Sequence, residues 1–109
     1  MTPIDLQDFL RNPSAALPRT TTLFRESGLR TLLLHLKAGE RIPEHQTRGA
    51  ITVQCLAGKG AFFIGTDRVD LRPGLLISVA PAVSHSVIAA EDEELSLLVA
   101  MSEQFASGQ

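Results

Sequence analysis

An all-β fold of antiparallel strand pairs, closed into a sandwich or barrel behind one short N-terminal helix, is what this sequence predicts. Three observations carry it. From Thr20 to Met101 the chain breaks into short runs rich in branched aliphatic residues and threonine. Glycine, proline and acidic residues punctuate those runs at close intervals, and no helical stretch lies between them. The composition, 44% hydrophobic and 20% charged over 109 residues, is that of one ordinary globular domain.

Residues 3 to 11 read as the helix. Thr2 is placed to cap it, Pro3 suits its first position and Asp5 completes a capping box. Ile4, Leu6, Phe9 and Leu10 form an apolar side, and Asn12-Pro13 ends the segment before a linker to Pro18. The first strands are Thr20 to Phe24 and Leu29 to Leu36, separated by a turn at Glu26-Ser27-Gly28. Ile51 to Ala57 is expected to meet Ala61 to Ile64 across Gly58-Lys59-Gly60, and Arg68 to Leu71 follows across Gly65-Thr66-Asp67. Arg72-Pro73-Gly74 turns into Leu75 to Val79, and Ala80-Pro81-Ala82 into Ser84 to Ala90. Glu91 to Glu94 reads as an acidic hairpin loop before Leu95 to Met101. The expected division is helix and linker over 1–18, barrel over 19–102 and tail over 103–109.

Charge and cysteine content narrow the setting. A formal net charge of −2 with scattered lysine and arginine leaves no basic footprint for nucleic acid. The single cysteine, Cys55, makes no internal disulfide, and the acidic N-terminus lacks the basic and apolar regions of a signal peptide. No apolar run is long enough to span a membrane as a helix. A cytoplasmic protein is expected. So is a homodimer, because a domain this small gains from a partner in burying apolar surface, and the strands over 20–36 carry apolar residues on both faces.

Two stretches carry the chemistry. The first runs from Gly39 through His45, Thr47 and Ile51 to Gly58; the second runs from Gly74 through Ala80, Pro81 and Ala82 to His85 and Ala89. They resemble the two motifs of the cupin superfamily, small β-barrels that usually hold one divalent metal between them. The family's first motif is glycine, five residues, histidine, one residue, histidine, three or four residues, glutamate, six residues, glycine. Gly39, His45 and Gly58 match it, while Thr47 stands at the second histidine and Ile51 at the glutamate. Only the three-residue spacer lands on Gly58; the longer one would close on Lys59. In the second motif Gly74 and His85 match, and Ala80, Ala82 and Ala89 replace proline, glycine and asparagine, with Pro81 one place late.

The resemblance spans roughly residues 29 to 101. It implies an antiparallel double-stranded β-helix, or jelly-roll barrel, that brings His45 and His85 together near the wide mouth at Thr47. It also implies dimerisation through a sheet face. If a metal is held, the ligands are His45 and His85, and Mn, Fe, Ni or Zn are the candidates. Two imidazoles are few for such an ion, since first-row sites usually recruit three or four protein ligands.

Strand alternation sorts the remaining residues. With His45 inward, Thr47, Ile51, Val53 and Cys55 share its face in the family register. Cys55 lies four residues beyond Ile51, about 13 Å along a strand, and reads as a buried small hydrophobe. Leu32, Leu34 and Leu36 form one face of their strand. Thr31, Leu33, His35 and Lys37 form the other, a wet or intersubunit face on which His35 would need a bulge to turn inward. Gln54 faces the sheet surface, and Phe62 and Phe63 point to opposite faces. Ser84 and Ser86 point opposite to His85 and have no base on their own face. Among Arg41, Arg48, Arg68 and Arg72, the one best placed to orient an acidic ligand is Arg48, just after His45.

Three classes of function follow. One is a binding module that takes a small molecule, weakly polar or anionic, between His45, Thr47, Arg48, Ile51, Val53 and His85. Another is a metal-dependent dioxygenase, isomerase or lyase built on His45 and His85. The third is a structural barrel with a filled core.

Overall fold

Alternation of large aliphatic and polar residues is realised as two facing antiparallel sheets in the computed structural model of the chain, which describes residues 3–11 and 19–103. The elements in order are α1 (Leu6–Leu10), β1 (Thr20–Glu26), β2 (Leu29–Leu36), β3 (Arg41–His45), β4 (Ile51–Gly58), β5 (Gly60–Ile64), β6 (Asp67–Leu71), β7 (Leu76–Val79), β8 (His85–Ala89) and β9 (Leu95–Ser102). Among the described residues one sheet has the order β1-β2-β9-β4-β7 and the other β3-β8-β5-β6. The expected jelly-roll barrel is what forms. Its core lies between the sheets, with Leu36, Val53, Leu95 and Leu97 fully enclosed.

Two pairings differ from the sequence reading. β4 does not meet β5 across Gly58-Lys59-Gly60; it pairs with β7 and β9, while β5 pairs with β6 and β8. The short connection is a corner between sheets. A register shift between Cys55 and Ala57 bends β4, and Gly58, at φ +92°, lies so close to β9 that a Cβ there would sit 1.9 Å from the Glu94 carbonyl oxygen. Likewise Glu91 to Glu94 is no hairpin loop, since β8 and β9 belong to different sheets. Turn residues look alike in a hairpin and in a corner; partner strands decide between them.

The helix is shorter than expected. Asp5 caps it, its carboxylate accepting from the Gln7 N–H at 2.9 Å. Ile4, Leu6, Phe9 and Leu10 are half-buried, as their apolar spacing suggests. The cap assigned to Thr2, the Asn12-Pro13 stop and the linker to Pro18 lie outside the described residues, as does the tail beyond Glu103. The β1–β2 hairpin forms at its expected turn. Among the described residues no helix is long and apolar enough to cross a membrane.

His35 departs from the wet or intersubunit face assigned to it. It is 3% exposed within the single chain. Its Nδ1 lies 3.1 Å from Ser96 Oγ on the neighbouring strand, and its Nε2 lies 3.8 Å from Glu94 Oε1. Alternation places it correctly on the face opposite Leu32 and Leu36; whether that face is covered is a tertiary matter.

Candidate functional site

β3 and β8 pair so that His45 stands directly opposite His85. A bulge makes this possible. From Ile42 to His45 is three steps on β3, against two steps from Val87 to His85 on β8, so one extra residue lets both Ile42 and His45 face the interior. Pro43 sits in the bulge on an edge strand, where a missing N–H costs no ladder bond. The ring centroids of His45 and His85 are 4.3 Å apart, inclined at 62°. Forty residues of chain separate the two rings, and the fold closes that gap.

Backbone carbonyls set the state of both rings. His45 Nδ1 lies 3.0 Å from Pro43 O, and His85 Nδ1 lies 2.9 Å from Val83 O. A carbonyl only accepts, so each Nδ1 carries the hydrogen, and in the neutral ring each Nε2 keeps a lone pair. Phe62 lies parallel to the His85 ring, 5.8 Å between centroids at 11°. His45 is exposed at the cavity mouth, whereas His85 is 4% exposed. Burial holds the His85 pKa below its ordinary value, the nearby His45 adds to that, and the bond to Val83 opposes both.

The histidines border a cavity of 460 Å³ whose lining includes Thr47, Ile51, Val53, Phe62, Val87 and Leu97. Thr47 lies in the loop after β3, not on a strand, and its hydroxyl donates to Gly49 O at 3.0 Å. Arg48 is exposed and stands outside the cavity lining. Arg41, Arg68 and Arg72 are exposed elsewhere, with Arg68 paired to Asp70 at 3.0 Å. Cys55 is buried below the cavity walls, its thiol pKa raised by burial. Ser84 and Ser86 stay off the cavity, and Phe62, not Phe63, is the phenylalanine that faces it.

Arg30, Thr20 and Met101 also line the cavity, and none was picked out from the sequence. For Arg30 the signal was present: it lies two residues before Leu32, on the inward face already assigned to Leu32, Leu34 and Leu36. Met101 follows Leu97 and Val99 in the same way. The inward turn of His45 was carried by the motif match and not by alternation, which the bulge breaks.

Among the described residues no three of histidine, cysteine, aspartate and glutamate converge to hold a metal. At the motif positions of the missing ligands stand a hydroxyl already donating to a carbonyl and an isoleucine. Two imidazole lone pairs fit a resident metal poorly.

The family model described as "Cupin domain" matches residues 32–101. Among solved structures, a cupin protein from Bacteroides fragilis superposes with a TM-score of 0.72 at 24% identity, covering 88% of this chain and 84% of that one. The cupin domain of Schizosaccharomyces pombe Cnp3 gives 0.74 at 17% identity, over 84% and 66%. The DMSP lyase DddQ of Ruegeria pomeroyi gives 0.71 at 22% identity, over 81% and 48%. These likenesses are of fold. No curated protein matches the chain in sequence.

Proposed function

This chain belongs to the cupin domain family, and we propose that within it the protein is a binding module for a small, largely apolar organic molecule held in the barrel cavity. The observation that carries this reading is the cavity itself: 460 Å³, walled mainly by aliphatic and aromatic side chains, with His45 and His85 converging on one edge. Each Nε2 lone pair calls for a donor, which water or a hydroxyl or N–H of a ligand can supply. A filled structural barrel fits poorly with a cavity of this size.

The competing reading is a metal-dependent enzyme of dioxygenase, isomerase or lyase type, with Mn, Fe, Ni or Zn on the same two Nε2 atoms. It requires water or substrate to complete the coordination shell. Thermal melting with a panel of medium-chain alcohols, amides and acids, with and without each metal, separates the readings on wild type and His85→Ala. Saturation at about a hundred times Kd stabilises by about 2.7 kcal/mol, a rise of several degrees in Tm for a domain of this size. Stabilisation without metal, reduced in His85→Ala, is expected. Stabilisation only with one metal would replace the binding module with the enzyme, and no response to any probe would favour the filled barrel.

We also propose a homodimer. Among the described residues β1 is an edge strand, and Phe24 and Leu29 beside its turn are exposed at 37% and 49%; an apolar edge strand invites pairing. Light scattering at micromolar concentration is expected to give twice the 11.8 kDa of one chain; the single-chain mass would refute it. The cytoplasm is the setting proposed, since the one cysteine is buried and free.

A further inference from the structure

Among the described residues that line the cavity, Arg30 is the one with a formal charge. It is half-buried on β2, two residues before Leu32, and its Nε and Nη2 both donate to Thr22 Oγ1, at 3.2 and 3.0 Å. That hydroxyl anchors the guanidinium without neutralising it. Arg19, Arg25 and Arg68 each pair with a carboxylate, from Glu40, Glu103 and Asp70. Among the described residues no carboxylate pairs with Arg30. A guanidinium carries five N–H donors, so after the two spent on Thr22 three remain for a partner.

A guanidinium at the exposed edge of an apolar cavity, with no carboxylate beside it, offers both a charge and free donors to an anion whose apolar part enters the cavity. We propose that Arg30 binds the carboxylate of the ligand, and that the cavity takes a monocarboxylic acid whose hydrocarbon body lies among Leu32, Leu34, Val53 and Leu97. This rests on the binding reading above and names its ligand class. One positive charge matches a monoanion better than a phosphate ester, which carries up to two negative charges and three acceptor oxygens. Arg30 pairs in register with Met101, and Met101 with Ile51. Two strand spacings therefore separate Arg30 from the position where the family's motif has its glutamate, about 10 Å. The charge at this height of the barrel is positive and displaced, where the motif's would be negative.

The test is calorimetric titration of the full chain with octanoate, octanamide and octanol, at pH 7.5 and fixed ionic strength. Octanoate is expected to bind at least about tenfold tighter than the two neutral probes, the increment typical of hydrogen bonds to a charged group. Arg30→Gln is expected to erase that preference while octanol binds as before, which also shows the variant to be folded. Arg30→Met carries the same expectation should Arg30→Gln not fold, and the wild-type comparison stands without either. Equal affinity of wild type for the three probes would overturn the carboxylate proposal and leave the binding module intact. Absence of binding by all three would overturn both. Retention of the octanoate preference in Arg30→Gln would show that another group supplies the charge.

Discussion

Gly58→Ala is expected to cost more than about 3 kcal/mol of stability, enough to lower Tm by roughly 12 °C or more. Two penalties combine there. The backbone at φ +92° is a left-handed conformation that an L side chain adopts at a cost of about 1–2 kcal/mol. The new Cβ would also lie 1.9 Å from the Glu94 carbonyl oxygen and 2.9 Å from Leu95 Cα, backbone atoms at the entry to β9. Neither can swing aside as a long side chain would. Gly74→Ala is the control: its φ is also +92°, but a Cβ there meets nothing within 4 Å. It should show the conformational penalty alone. Urea unfolding of the two variants beside wild type measures the difference, and a Gly58→Ala variant no less stable than Gly74→Ala would refute the close-approach argument.

Phe62→Ala is expected to cost about 3–5 kcal/mol, the range for deleting a buried phenyl ring. Phe62 is 3% exposed, belongs to the core cluster and covers one face of the His85 imidazole. Its loss should also let water reach His85. The His85 pKa, held below 6.5 chiefly by burial, should then move back toward that value. The sign of the pH effect follows. Because the folded-state pKa is depressed, the unfolded chain takes up a proton more readily than the folded one. The stability contributed by keeping His85 neutral is present above about pH 6.5 and is lost as pH falls through the folded value. In wild type the urea midpoint should decline as pH drops from 7.5 to 5.5, and in Phe62→Ala the decline from this ring should shrink. NMR titration of the histidine ring carbons reads the pKa directly. An unchanged His85 titration in Phe62→Ala would show that burial by the phenyl ring is not the cause of the shift.

The strands were readable because alternation is local: a branched residue at every second position, bounded by glycine or proline, leaves few other choices for the backbone. Partner choice was not. Gly58-Lys59-Gly60 has the composition of a hairpin turn, yet the two glycines let the chain pass beneath Glu94 and Ile88 into the second sheet. Side chains set by alternation were legible as far as it holds. Val53 and Ile51 face inward as read, and Arg30 would have followed from one more step along β2. His45 obeys a bulge, and Arg48, chosen for its nearness to His45 in sequence, stands outside the cavity lining.

Taken alone, then, the amino-acid order settled the all-β character, the antiparallel strands, the glycine turns and the two histidines as the matching half of a recognisable motif pair. These depend on interactions within a few residues or on matches at fixed spacing. The pairing of β4 with β9, the covering of His35, the bulge that lets Ile42 and His45 both face inward and the meeting of Arg30 with an acid-free apolar cavity were decided only in three dimensions. Each depends on which distant strand lies alongside, and that is set by how the two sheets close over a common core.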